Sequence, residues 1–294
     1  MTTKQFIATS LSAFEAYLDQ HLNHLLSDSR QRLNEAMRYS SLDAGKRFRP
    51  LLVLATNRCF SNNIKSVLPL AAAVEAIHCF SLIHDDLPCM DDDDIRRGKA
   101  SCHKAFDDAT AVLAGDALQA FAFELMAEHL PHFFPTDRCL YAIKHLAKSI
   151  GTDGLIGGQI LDMYPPQNPC IDALKQVHRY KTGALIEAAI MLPAILHQAP
   201  TEILDALLTF GRHLGLCFQI RDDILDVESS TKKLGKTTGK DQLQNKLTYV
   251  TYLGLKGAKD AFDQEYKAAQ QTLVKLTNTD TSILNDLLKM LDIS

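Results

Sequence analysis

Two groups of aspartates carry the strongest chemical signal in this sequence. Asp85-Asp86-Leu87-Pro88-Cys89-Met90-Asp91-Asp92-Asp93-Asp94 sets six carboxylates within ten positions, directly after a segment from Val67 to His84 whose one charged residue is Glu75. Helical periodicity over 67–86 puts these carboxylates at a helix C-terminus, facing the negative end of the macrodipole. Their mutual repulsion adds to that cost, and a bound cation offsets both. The arrangement recurs after the largely apolar run Leu214–Ile220, as Arg221-Asp222-Asp223-Ile224-Leu225-Asp226. Asp222 and Asp226, four apart, stack on one helix face with Asp223 beside them. Such all-oxygen sets suit Mg²⁺, which takes one or two carboxylates and completes its shell with water and phosphate oxygens. Asp85 and Asp91 stand too far apart along a straight helix to share an ion, but Pro88 interrupts the helix and would fold Asp91 back. A solvated acidic loop is the plain alternative for one cluster; two clusters, each closing an apolar helix, argue against it.

If carboxylate-bound metal holds one side of a diphosphate, cations should hold the others. Gly45-Lys46-Arg47-Phe48-Arg49-Pro50 offers Lys46 and Arg49 on one side of a helix start, and Arg96-Arg97-Gly98 follows the first aspartate cluster. Lys181-Thr182-Gly183 interrupts an apolar helix, and Lys236 lies in Leu234-Gly235-Lys236-Thr237-Thr238-Gly239-Lys240-Asp241. Arginine brings a planar fork to phosphate oxygens and lysine a point charge. Singly each pair reads equally as surface charge, and none forms a phosphate-cradling glycine loop of the nucleotide-binding kinds. Gly183 weakens the helical ladder, and a kink there would free a carbonyl such as that of Thr182, beside Gln219 and able to face a developing positive charge. Close helix packing at the glycine is the other reading. Gln159 and Asp162 are either interior polar groups or a capped helix end.

These groups must be positioned by helices. Leu11, Phe14, Leu18, Leu22 and Leu25 step by three and four, and further helical stretches fall at about 31–44, 51–60, 110–130, 138–157, 171–194, 201–228, 241–254, 256–275 and 281–292. Alternating strand patterns are hard to find. With 14 glycines and 10 prolines in 294 residues, turn formers are sparse. The loop Pro165-Pro166-Gln167-Asn168-Pro169 is the best candidate boundary, yet its length suits a helix connection, and one domain over 1–294 is expected. A net charge of -4 argues against nucleic acid or an anionic membrane as partner. The seven cysteines include no C-x-x-C pair and fit reduced thiols. Residues 1–6 lack a signal peptide's apolar run, and no stretch reads as the roughly 18 apolar residues of a membrane span; a cytoplasmic protein without stable membrane insertion is expected.

At this point a resemblance emerges. His84-Asp85-Asp86-Leu87-Pro88-Cys89-Met90-Asp91 resembles the first aspartate-rich motif of the trans-isoprenyl diphosphate synthases, in the DDxxxxD form of the bacterial farnesyl enzymes. Asp222-Asp223-Ile224-Leu225-Asp226 is similar to their second motif, DDxxD. The likeness runs from about Leu42 to Tyr249 and takes in Gly45–Pro50, Glu75–His78, Arg96–Gly98, Gly157–Gln159, Lys181-Thr182 and Phe218-Gln219. It implies an all-α, single-domain helical bundle around a deep central cavity, usually a homodimer. It also implies head-to-tail condensation of isopentenyl diphosphate with dimethylallyl and then geranyl diphosphate, through ionisation, condensation and proton loss. By the same resemblance Asp85, Asp86, Asp91, Asp222, Asp223 and Asp226 hold two or three Mg²⁺ ions, with Mn²⁺ able to substitute. Arg96, Lys181 and Lys236 contact the allylic diphosphate. Gly45, Lys46, Arg49, His78 and Arg97 belong to the isopentenyl diphosphate site, and Gln219 with Thr182 faces the cation.

The family's Lys-x-Thr-Tyr-Pro stands here as Lys246-Leu247-Thr248-Tyr249-Val250, without its proline, and Leu288–Ser294 lacks the basic tail often found there. Phe80 and Ser81, one turn before Asp85, are expected to line the path of the growing chain. In the family an aromatic at the Phe80 position resembles the farnesyl-length pattern. Geranylgeranyl diphosphate is the alternative product, and a class I terpene cyclase the more remote reading; a cyclase has no use for the Lys46, Arg49 and Arg97 set.

Overall fold

The computed structural model describes residues 2–23, 30–42, 45–165, 170–233, 248–276 and 279–293. Among these the fold is all-α apart from one short hairpin. The chain divides into two compact units, residues 1–144 with 192–198 and residues 145–191 with 199–294.

The first unit contains α1 (Thr3–Asn23), α2 (Gln31–Ser41), α3 (Phe48–Arg58), α4 (Leu68–Asp85), α5 (Cys102–Ala105), α6 (Asp108–His129) and most of α7 (Thr136–Ile150). In α1 the predicted stripe is buried at Phe14, Leu18 and Leu22; Leu25 lies outside the described residues. Every residue of α4 from Leu68 to Ile77 is buried, because its side chains are apolar all round and α1, α3 and α6 pack about it. The expectation that no stretch is apolar enough to cross a membrane needs correcting. By length and composition Ile64–Asp85, Asp108–His132 and Thr201–Glu228 all qualify. For the first of these the apolarity has another use, since 83% of its most apolar window is buried inside the protein.

A second difference is the hairpin of β1 (Ile95–Arg96) and β2 (Lys99–Ala100), paired antiparallel with Ile95 opposite Ala100 and Arg96 opposite Lys99. Two-residue strands are too short for alternation to show in sequence. Arg97 and Gly98, both at positive φ (55° and 78°), form the connecting turn of the kind whose twist suits a two-residue hairpin.

The second unit comprises α8 (Leu155–Met163), α9 (Ile171–His178), a π-helical turn at Arg179–Gly183, α10 (Ala184–Leu196), α11 (Thr201–Lys233), α12 (Tyr249–Val274) and α13 (Ser282–Lys289), the end of α10 belonging to the first unit. The single helix expected over 138–157 is two, because α7 stops at Ile150 and α8 begins at Leu155. Gly154 permits the break: a Cβ there would lie 1.9 Å from the Ser149 carbonyl oxygen. Helix α11 packs along α12, which Gly254 kinks at φ 68°. That kink is the divide expected near residue 255, while residues 241–247 and the 166–169 part of the proline-rich loop lie outside the described residues. All seven cysteines are free, as the odd count suggested.

Candidate active site

Helix α4 ends at Asp85, and beyond Pro88 the chain turns back on itself. The Asp91 N–H donates to the Asp85 carbonyl at 2.9 Å and the Asp93 N–H to that of Asp86 at 3.2 Å. The turn thus carries Asp91 back to Asp85 as the proline predicts. Asp85 and Asp91 are half-buried, whereas Asp86 is 2% exposed. Arg96, on β1, meets both Asp86 oxygens through Nε at 2.9 and 3.2 Å and reaches Asp93 through Nη2 at 3.2 Å. Burial pushes the Asp86 carboxyl above its ordinary range, and the Arg96 guanidinium opposes that shift. Arg96, expected on a diphosphate, therefore also closes the acidic loop onto the end of α4.

One grouping escaped the sequence reading. Asp92, Asp94 and the buried His103 bring one ligand atom each within 4.8 Å of one another, and Lys104 pairs with Asp94 at 3.0 Å. His84, just before the motif, sets Nε2 3.0 Å from the Val112 carbonyl of α6. Gly115 makes room for that ring, since a Cβ there would come 2.1 Å from Nε2. Phe80 is buried one turn earlier, edge-on to His84 with ring centroids 5.3 Å apart. The end of α4, with its carboxylates, is thereby located on α6.

Three of the expected basic groups converge. Arg97, on the hairpin turn, brings Nη2 within 3.0 Å of His78 Nε2 on α4, and Arg49 on α3 brings Nη1 to 3.5 Å from the same nitrogen. Burial first, then the charges of Arg49 and Arg97, hold the His78 pKa well below its ordinary value, so the ring is neutral and Nε2 accepts. Gly45, at φ 70°, lies against Arg97; a Cβ would stand 3.1 Å from the guanidinium carbon. Lys46 is exposed on the same loop, while Arg47 between them is buried and turns inward. Two guanidiniums on one neutral imidazole leave positive charge that a polyanion is suited to meet.

The remaining expected residues lie in the second unit. The π turn at Arg179–Gly183 is the helix distortion that Gly183 foreshadowed, and it carries Lys181 and Thr182. Lys181 Nζ donates to Asp162 of α8 at 2.7 Å, which makes Asp162 a half-buried ion partner rather than a cap. Gly158 permits this approach: a Cβ would meet the Lys181 backbone nitrogen at 2.1 Å. Thr182 Oγ1 donates to Gln219 Oε1 at 3.1 Å, and Gln219 Nε2 to Asp223 Oδ1 at 3.0 Å. The other oxygen of Asp223 accepts the Tyr249 N–H at 2.8 Å. The second motif is thus unequal: Asp223 is buried with both oxygens engaged, Asp222 is half-buried and Asp226 exposed. The missing proline at Val250 is offset by a capping box, in which Thr248 and Thr251 each satisfy the other's backbone N–H. Lys236 lies outside the described residues.

An all-α scaffold that carries one aspartate-rich motif in each unit, with guanidiniums gathered about a neutral histidine in the first, is the arrangement of a prenyl synthase. The model of the polyprenyl synthetase family matches residues 30–289. The chain belongs to that family and is a prenyltransferase. It is 42% identical to a farnesyl diphosphate synthase of Bacillus subtilis (strain 168), over 93% of each chain. It is 46% identical to a chloroplastic geranylgeranyl pyrophosphate synthase of Capsicum annuum, over 82% of this chain and 66% of that one. In structure it is similar to a geranyltransferase from Helicobacter pylori complexed with magnesium and isoprenyl diphosphate, with a TM-score of 0.85 and 32% identity, covering 99% of this chain and 96% of the other.

Proposed function

We propose that the protein is a farnesyl diphosphate synthase, condensing isopentenyl diphosphate with dimethylallyl and then geranyl diphosphate and releasing pyrophosphate. The observation that carries this is the Arg49–His78–Arg97 cluster, because a basic group additional to the cations beside the metal carboxylates suits a second diphosphate substrate. A terpene cyclase, with one diphosphate to bind, has no need of it. The 93% mutual coverage with the Bacillus farnesyl enzyme supports the fifteen-carbon product. The similarity to a geranylgeranyl synthase keeps a twenty-carbon product as the second reading.

The residues of both motifs fit a hard divalent cation. Asp85 and Asp91 are brought together by the chain reversal, Asp222 and Asp226 lie one helical turn apart, and all four offer carboxylate oxygen. Asp86 and Asp223 belong to the two sets by the family resemblance, and their oxygens are also held by Arg96 and by Gln219 and Tyr249. Bound Mg²⁺ would neutralise the departing diphosphate, and Mn²⁺ has the same ligand preference. Lys181, held by Asp162, and Arg96, held by Asp86, offer oriented cations to the allylic diphosphate, and Lys236, outside the described residues, is assigned to the same group by the family resemblance. Lys46, Arg49, Arg97 and the His78 ring, with Gly45 leaving room for them, bind and orient isopentenyl diphosphate. The Thr182 and Gln219 dipoles, ordered by Asp223, favour positive charge developing on the allyl group. The released diphosphate takes the proton, so the reading names no protein base.

The family match spanning both units supports one catalytic domain over 1–294. Val112, Leu113, Leu140 and Tyr141 are exposed apolar side chains and support a homodimer. The free cysteines support a cytoplasmic setting, and the burial of the apolar helix Ile64–Asp85 as core supports a protein without stable membrane insertion. The test is incubation with isopentenyl and geranyl diphosphates plus Mg²⁺, with products sized by chromatography and a chelator control. Farnesyl diphosphate that forms only with the metal is the expected result; no condensation in the presence of Mg²⁺ refutes the reading.

A further inference from the structure

The basic loop contains a third cation that points the other way. Arg47, between Lys46 and Phe48, is 4% exposed and adopts a left-handed backbone (φ 50°, ψ 36°), which is uncommon for a residue with a Cβ. Its guanidinium is fully engaged. Nε and Nη2 donate to the two oxygens of Glu15 on α1 at 2.6 and 3.0 Å, Nη1 to Glu75 on α4 at 2.8 Å, and Nη2 also to the Ser41 carbonyl closing α2 at 2.7 Å. The Phe14 ring lies 5.5 Å beneath. One side chain thus joins α1, the end of α2 and α4 to the loop that opens α3.

Two features connect this clamp to substrate. Glu75 stands three residues before His78, on neighbouring turns of one side of α4, so fastening the loop to Glu75 fixes it relative to His78. The left-handed turn at Arg47 is also what sends Lys46 outward and delivers Arg49 to His78. Such a backbone persists when the surroundings over-determine it, and four hydrogen bonds to three elements do so here.

We infer that Arg47 is a positioning residue: its Glu15–Glu75 clamp sets the register of the Lys46–Arg49 loop on α4 and thereby the affinity for isopentenyl diphosphate, without touching that substrate. The inference rests on the assignment of Lys46, Arg49, His78 and Arg97 to isopentenyl diphosphate. Glu15 lets it be tested gently, because its side chain is 41% exposed and it belongs to no binding group, whereas Glu75 is sealed in the core.

The experiment compares Glu15→Ala, Glu15→Gln, Arg47→Lys and, as reference, Lys46→Ala, measuring KM for isopentenyl and geranyl diphosphates, kcat and the thermal midpoint. Glu15→Ala and Arg47→Lys should raise KM for isopentenyl diphosphate roughly tenfold, the scale of one displaced charge-assisted contact. KM for geranyl diphosphate and kcat should move less than about twofold over the same displacement. Glu15→Gln, which keeps one acceptor, should fall between Glu15→Ala and the parent. An unchanged isopentenyl KM in folded Glu15→Ala, or equal rises in both KM values, overturns the clamp and leaves Arg47 a purely structural residue. Should Lys46→Ala itself leave the isopentenyl KM unaltered, the assignment of the loop fails, and the inference with it.

Discussion

The Tyr249 N–H donates to Asp223 Oδ2 at 2.8 Å, so the second aspartate of the second motif ties α11 to the first turn of α12. Its neighbour Asp222 is half-buried on α11, and the two should separate under mutation. Asp222→Ala should lower kcat by orders of magnitude with the thermal midpoint held. Asp223→Ala should also destabilise the fold by about 2–3 kcal/mol, because it strands a buried N–H and the Gln219 amide. Thermal and chemical denaturation beside kcat measures this. Equal stability of the two variants would contradict the division of labour.

Truncation of the isopentenyl group should act on one substrate. Lys46→Ala and Arg97→Ala should each weaken isopentenyl diphosphate by roughly tenfold or more, the worth of a charge-assisted phosphate contact, and affect geranyl diphosphate far less. Steady-state kinetics with each substrate varied in turn checks this; equal effects would place these cations elsewhere.

Product length should respond to Phe80. Its ring is buried against His84, one turn before Asp85. Phe80→Ala should cost about 3–5 kcal/mol of stability as a core truncation. If the ring floors the path of the growing chain, it should also extend the product to twenty carbons or more. An active variant that still stops at fifteen carbons would assign Phe80 to packing alone.

Acid should destabilise the second unit through His178. Burial lowers its pKa to about 4, and its Nδ1 is enclosed without a hydrogen-bond partner among the described residues. The folded state therefore keeps the ring neutral down to that pH, while the unfolded chain protonates it near the ordinary value of about 6.5. Between these limits the unfolded state holds more protons, so stability falls as pH falls, by about 1.4 kcal/mol per pH unit from this residue. Denaturant titrations at pH 7, 6 and 5 should show His178→Leu losing less stability over that range than the parent. Parallel pH profiles would remove His178 as the cause.

The motifs were legible in sequence because their physics is local. Carboxylates closing an apolar helix are misplaced against its dipole whatever the rest of the chain does, Pro88 interrupts a helix by its own covalent structure, and Gly183 weakens one. The return of Asp91 to Asp85 was the expected effect of Pro88, whereas at Gly183 both alternatives are found, a π turn through Lys181 and close packing, with Gly215 against the Gly183 backbone. Periodicity located most helices, and it failed where packing or a glycine decides, at the break before Leu155 and in the two-residue strands that aim Arg96 and Arg97. The direction of each charged side chain was decided by the tertiary structure. Lys46, Arg47 and Arg49 look alike along the chain, yet the sign of one φ angle and the buried Glu75 turn Arg47 into the core, while Lys46 stays exposed and Arg49, half-buried, meets His78. Asp222 and Asp223 differ in sequence by a single step, yet the N-terminus of α12, brought from 26 positions away, meets Asp223 and holds it in the interior. Spacing along a helix states which groups share a face, whereas the partner waiting at that face comes from elsewhere in the chain.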